Sequence, residues 1–218
     1  MKPLGKVSIQ WSPEFAYAIG LIVTDGCLYG DGRHINFTSK DREQIDNFMR
    51  CLDIENHIGK KYNGAKTHHS LVVQFGDINF YEFLNSIGIT AKKSKTIGEV
   101  RVPEEYFFDF LRGHFDGDGT FYSYWDPRWR SSFMFYAEFI SASKIHVNWL
   151  RSEIERHLNI RGHITNSIRS SVYQLKYAKA ESLKLLPKLY YNPEVVCLSR
   201  KRIKIEKALA VAGKTLTK

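Results

Sequence analysis

Two short stretches of this sequence end alike. Gly20-Leu-Ile-Val-Thr-Asp-Gly26 and Gly113-His-Phe-Asp-Gly-Asp-Gly119 both fit G-x-x-x-x-D-G, so each sets one carboxylate, Asp25 or Asp118, beside a glycine. Paired carboxylates bind divalent cations through oxygen. Oxygen-only ligation suits Mg2+ and phosphodiester hydrolysis, in which a metal activates water and stabilises the leaving oxygen. A single Asp-Gly step is equally an ordinary helix end with glycine as its cap. The run Asp116 to Phe121 starts like a calcium loop, but no acids follow at the positions that would complete the shell, and Tyr122, Tyr124 and Trp125 stand nearby instead. It also contains the D-x-D-G-T pattern of aspartate-dependent phosphotransferases. That chemistry needs the nucleophile at the end of a buried parallel strand, whereas residues 104–115 read as a helix.

The elements that must position these carboxylates repeat along the chain. Residues 52–58 (Leu-Asp-Ile-Glu-Asn-His-Ile) and 158–164 (Leu-Asn-Ile-Arg-Gly-His-Ile) form a second matching pair in the same order. The offset is 93 residues at the first pair and 106 at the second, so the later copy carries about thirteen extra residues, expected around Trp125 to Ser132. Helices are predicted over 12–25 and 104–118, opened by Ser12-Pro13-Glu14 and Pro103-Glu104-Glu105. In the first copy a hairpin follows, with Asp31-Gly32 as a type I′ turn signal, then a helix over 41–52, strands over 56–63 and 68–76, and a helix over 77–87. The second copy gives a helix over 144–158, strands over 160–168 and 171–177, and a helix over 179–190. The fold class is therefore α+β: two αββαββα repeats, 1–98 with a linker at Thr90 to Arg101, and 99–218 with a basic tail. Gly20 and Thr24 are four apart, as are Gly113 and Gly117. Such stripes of small residues let two helix backbones approach closely. Packing these two helices would bring Asp25 and Asp118 together at two negative helix ends, an arrangement that favours cations there.

Lys plus Arg is 32 against 23 Asp plus Glu, a formal charge of +9 and a pI near 9.4. That balance favours a polyanionic partner. The chain is 218 residues long and 43% hydrophobic, with no apolar run of membrane-spanning length and no signal-like start, so an intracellular protein is expected. Cys27, Cys51 and Cys197 are too few and too scattered for a disulfide framework or zinc cluster. His68 and His69 are adjacent on a strand and point to opposite faces, which disfavours shared metal ligation.

Ala18 to Gly26 and Leu111 to Gly119 resemble the nine-residue signature of the LAGLIDADG homing endonucleases. The second copy is near the common form; the first departs at Val23 and Thr24. The resemblance spans residues 12–207 and is to single-chain, two-repeat members. It implies a monomer that binds a long, asymmetric duplex DNA site and cuts both strands across the minor groove, leaving short 3′ overhangs. Asp25 and Asp118 would hold Mg2+, with Mn2+ or Ca2+ able to take the same sites. It further implies a lysine near each centre, matched here to Lys93 and Lys201, and a polar side chain nearby, matched to Ser39 and Ser141. One antiparallel sheet per repeat would lie over the major groove. If Ile35, Phe37, Leu71, Val73 and Phe75 face the core, His34, Asn36, Thr38, Ser70 and Gln74 face outward, with Arg33 and Lys61 beside them. In the second repeat Ile160 and Ile164 point inward, which leaves Arg161, His163, Thr165, Gln174 and Lys176 outward. The insert adds Tyr124, Arg128 and Arg130. Other functions compatible with the resemblance are intron RNA maturation and DNA binding without cleavage. The cytoplasm, the nucleoid or an organelle would be its location, and without splicing-type termini an intron-encoded protein is favoured over an intein.

Overall fold

The computed structural model describes residues 5–62, 69–167 and 171–216. Each repeat folds in the expected order. The first comprises α1 (Pro13–Asp25), β1 (Gly26–Leu28), β2 (His34–Ser39), α2 (Arg42–Leu52), β3 (Ile58–Tyr62), β4 (His69–Gly76) and α3 (Ile78–Ser86). The second comprises α4 (Phe107–Asp118), β5 (Thr120–Trp125), β6 (Phe133–Ser141), α5 (Lys144–Leu158), β7 (His163–Ser167), β8 (Val172–Ala178) and α6 (Lys179–Leu189). A further helix, α7 (Ser199–Val211), forms from what the sequence presents as a basic tail. Each repeat has one antiparallel four-stranded sheet, ordered β1-β2-β4-β3 and β5-β6-β8-β7. Among the described residues no helix is long and apolar enough to cross a membrane.

The repeated sequence pairs have a structural reason. Leu52 and Leu158 end α2 and α5, and the next residues, Asp53 and Asn159, cap them in the left-handed region at φ 51° and 50°. Short polar side chains tolerate that conformation best after glycine. Helix starts are equally well specified: the Ser12, Asp41, Asp77 and Ser143 side chains accept backbone N–H groups at the first turns of α1, α2, α3 and α5.

Three expectations need correction. Gly32 has φ 78°, but Asp31 does not have positive φ, so the first hairpin turn is not type I′. Instead the Asp31 carboxylate accepts the backbone N–H groups of Arg33 and His34 at 3.2 and 3.0 Å, a local bond that replaces the two-residue turn geometry. The extra residues of the second repeat are not confined to 125–132: both strands of its first hairpin and α5 are longer than their counterparts. Finally, β7 starts at His163, because Gly162 at φ 63° interrupts the extended chain. Ile160 and Arg161 therefore precede the strand; Ile160 is buried and Arg161 exposed.

The core is built around α1 and α4, which pack along their length with the sheets over them. A Cβ on Gly20 would collide with the backbone carbonyl of Phe110 and lie 2.7 Å from the amide nitrogen of His114; one on Gly113 would collide with the Tyr17 carbonyl. One on Gly117 would strike the Thr24 hydroxyl. All four small residues thus sit where the helices touch. Between the repeats, the linker carbonyls of Ile97 and Gly98 accept from Ser143 Oγ and His146 Nδ1, the latter at 2.7 Å, which ties the linker to α5.

Candidate active site

Asp25 and Asp118 are the last residues of α1 and α4. A Cβ on Gly117 would lie 2.9 Å from Asp25 Oδ2, so the Asp25 carboxylate rests against the residue preceding Asp118. Thr24 Oγ1 lies 3.0 Å from the Leu21 carbonyl and 3.2 Å from Asp25 Oδ2. Partial burial, and then the negative charge of Asp118, push Asp25 up to about 6; desolvation against the helix ends also raises Asp118, although that residue is exposed. Two carboxylates at two negative helix ends, Asp25 half-buried and Asp118 exposed, are mutually unfavourable, and a divalent cation relieves that repulsion. Among the described residues no group of three or more His, Cys, Asp or Glu could hold a metal. A divalent cation here would have the two carboxylates as its protein donors and would need water or phosphate oxygens for the rest, a donor set of the kind Mg2+ accepts.

A pH prediction follows. A carboxylate whose folded pKa lies above its unfolded value near 3.9 favours the fold fully below about pH 4 and loses that contribution as pH rises through about 6. Without metal, Asp25→Asn should therefore melt higher than the wild type at pH 7.5, and the gap should close as pH falls toward 4. A gap that is constant across thermal melts from pH 4 to 8 would contradict this.

Lys93 and Lys201 are buried, at 6% and 9% exposure, rather than displayed on the surface. Lys93 Nζ donates to the Gly26 carbonyl. Lys201 Nζ donates to the carbonyls of Phe115, Asp116 and Gly119 at 2.6, 2.9 and 2.6 Å. Burial lowers both ammonium groups, Lys201 to about 8, against the pull of Asp25 and Asp118. Ser39 Oγ donates to Gln44 Oε1 at 2.6 Å and Gln44 Nε2 donates to the Asp116 carbonyl at 3.1 Å, so Ser39 is linked to the end of α4. Ser141 Oγ accepts the Ser143 amide, as Ser39 Oγ accepts that of Asp41. A cleft of about 710 Å3 opens beside Asp25, lined by Thr38, Ser39 and Ser70 and by three cations absent from the expected site residues: Lys40, Arg42 and Arg200.

The sheet residues divide. In the first repeat Gln74, Lys61 and Arg33 are exposed, and Thr38, Ser70 and His34 are half-buried. Asn36, expected outward and free, is only 6% exposed, because its amide donates to the Tyr29 hydroxyl, which covers it. His34 Nδ1 is held by Asp31. His69 is exposed at the start of β4; His68 lies outside the described residues. In the second repeat His163 is exposed, while Thr165 Oγ1 and Gln174 Oε1 are 3.2 Å apart across the strands. Lys176 pairs at 3.1 Å with Glu138, a 3% exposed carboxylate that strand alternation had not brought to notice. Tyr124 is exposed and lies in a row of near-parallel rings with Tyr122 and Tyr136. Arg128 is folded onto Asp126 at the hairpin tip, and Arg130 is exposed.

The most informative residue missed by sequence reasoning is Asp116. It is 1% exposed; its Oδ2 accepts from the Tyr17 hydroxyl at 2.9 Å and from the Leu198 amide at 2.7 Å, and burial raises its pKa. With Asp109 and Arg112, ion-paired at 2.8 Å, it forms a buried polar seam on α4. Arg112 donates to the carbonyls of Val196 and Leu189, and the Tyr191 hydroxyl donates to Asp109. The seam holds the segment that delivers α7.

Comparison with known proteins places this geometry. A model of the LAGLIDADG-like domain matches residues 12–96. No curated protein matches the sequence. The homing endonuclease I-WcaI bound to its DNA recognition sequence is similar over 90% of this chain and 88% of its own, at 14% identity and TM-score 0.61. The meganuclease I-SmaMI bound to uncleaveable DNA is similar over 96% and 92%, at 11% identity and TM-score 0.63. The N-terminal LAGLIDADG domain of DUF199/WhiA is similar over 91% and 88%, at 18% identity and TM-score 0.54. At these identities the likeness is one of fold.

Proposed function

From a LAGLIDADG-like domain at residues 12–96 inside the two-repeat LAGLIDADG fold, we propose that the chain is a site-specific endonuclease that hydrolyses both strands of a long, asymmetric DNA duplex with a divalent metal, Mg2+ foremost. The observation that carries the reading is the meeting of Asp25 and Asp118 at the ends of two helices in backbone contact. Each carboxylate would ligate metal, and the metal would supply Lewis acidity and an activated water. Both repeats lie in one chain, so a monomer suffices to present two sheets to two unlike half-sites. Gln74, His163, Arg33, Lys61, Arg161 and Arg130 are among the exposed side chains suited to base edges and phosphates.

The test is to incubate the protein with a randomised duplex library and Mg2+ and to sequence the cut ends. A single cleaved motif supports the reading. Recovery of a bound but uncut motif would favour a DNA-binding protein without cleavage, a function that the same fold can serve. Selective retention of intron RNA would favour a maturase. Salt gives a further check. With about 6–10 phosphates neutralised, affinity should fall by roughly three to five decades between about 50 and 200 mM salt. A flat anisotropy titration would point to another partner.

A further inference from the structure

Lys93 and Lys201 follow corresponding ends of the two repeats, yet their ammonium groups are engaged differently. Among the described residues Lys93 Nζ has one hydrogen-bond partner, the carbonyl of Gly26, the residue after Asp25. Lys201 Nζ lies within 2.9 Å of the carbonyls of Phe115, Asp116 and Gly119, and 3.4 Å from that of Gly117. An ammonium has three N–H donors, so those of Lys201 are fully committed to backbone. The acceptors are the carbonyls that the end of α4 leaves without helical partners, on both sides of Asp118.

Lys201 also arrives on a fixed element. The Leu198 amide donates to Asp116 at 2.7 Å. The Ser199 amide donates to Glu43 at 3.1 Å and Arg200 pairs with Asp41 at 2.7 Å, which anchors the start of α7 to the first repeat. Asn47 donates to the Cys197 carbonyl at 2.9 Å. The first repeat has no such helix; Lys93 stands on a single 3-10 turn, Lys93–Lys95.

We propose that Lys201 is a positioning residue for Asp118: a cationic cap that gathers the end of α4 and sets the direction of its carboxylate, a task Lys93 does not perform for Asp25. The two metal ligands are then held by unlike devices, and the α7 lysine caps only the second helix end. This rests on the metal-binding reading above.

Two roles for Lys201 predict opposite signs. As a nearby positive charge only, its removal would tighten cation binding at the carboxylates; as a cap, its removal would weaken it. The experiment titrates Tb3+ into the full-length protein without DNA, reads sensitised luminescence, and competes it with Mg2+. Lys201→Met should weaken binding roughly ten- to hundredfold, as loss of a group that orients a ligand does. Lys201→Gln, uncharged but with two N–H donors, should recover most of that loss, whereas Lys93→Met should tighten binding. The proposal is overturned if Met and Gln at 201 both tighten binding as Lys93→Met does. Should the wild type bind no cation, the metal reading fails, and hydrogen exchange still decides the cap. Lys201→Gln should then leave amide protection over residues 117–121 near wild type, and Lys201→Met should lose it with residues 24–28 unchanged. Unchanged exchange at 117–121 in both variants overturns the proposal.

Discussion

Asp118→Asn should abolish the proposed double-strand cleavage and leave the protein folded and able to bind its duplex. Asn keeps the shape of the side chain but removes the charge, and a neutral amide oxygen is a poor substitute ligand for Mg2+. A metal at a phosphodiester supplies several kcal/mol of transition-state stabilisation, so single-turnover rates should fall by roughly three decades or more. The fold does not suffer, because the wild-type pair is strained: Asp118 is the leading charge that raises Asp25, second only to burial. Removing it lets Asp25 ionise closer to the ordinary carboxylate range, so the metal-free variant should be as stable as the wild type or more so at neutral pH. A cleavage gel and a mobility shift on the same duplex measure the two quantities. Full cutting in Mg2+ would remove the mechanism.

The helix pair and its carboxylates were legible because their signal is local: a glycine, a small residue four positions on, and an Asp-Gly step, written twice. The sheets were legible for the same reason, since Ile35, Phe37, Val73 and Phe75 alternate and are all buried. What escaped depends on partners distant in the chain. Asp116 meets Leu198 across 82 residues and Arg112 meets Val196 across 84, and nothing near either residue announces the other. Alternation placed Asn36 on the outward face; only the fold shows that Tyr29, from the turn beside it, covers that amide. Glu138 was overlooked because a buried carboxylate is expected to be costly; its cost is offset by Lys176 on the neighbouring strand.

These misses share a cause. On α4 the residues Asp109, Arg112 and Asp116 stand where α1 has Ala16, Ile19 and Val23. The departure of the first motif at Val23 is therefore also a gain in the second: a carboxylate is needed at 116 to receive the start of α7, and the first repeat has no helix to receive. Pseudo-symmetry governs the site and the sheets, and the seam breaks it on one side. An asymmetric duplex, on the proposed reading, would require unlike sheets; the seam adds an asymmetry in how the carboxylate-bearing ends of the helices are supported.

Gly113→Leu gives the largest expected effect on stability, and its sign tests the architecture. A Cβ at this position collides with the Tyr17 carbonyl and lies 2.9 Å from its carbon, so the obstacle is backbone of the opposing helix rather than a side chain that could rotate away. Overpacking a close-packed interior costs about 1–3 kcal/mol where side chains can adjust, and more where main chains must separate. For a chain of this size each kcal/mol moves the melting temperature by about 2–4 °C. Gly113→Ala already meets the same carbonyl and should be destabilising, with Leu far worse, and in both the separation of α1 from α4 displaces Asp25 and Asp118 together. Cleavage of both strands should fail in parallel. On a solvent-exposed helix the same change would instead stabilise by roughly 0.5–1 kcal/mol, because glycine is a poor helix former. Thermal melts of the Ala and Leu variants decide between them. A rise in either would mean that the helices do not touch at Gly113, and that the carboxylates do not share a site.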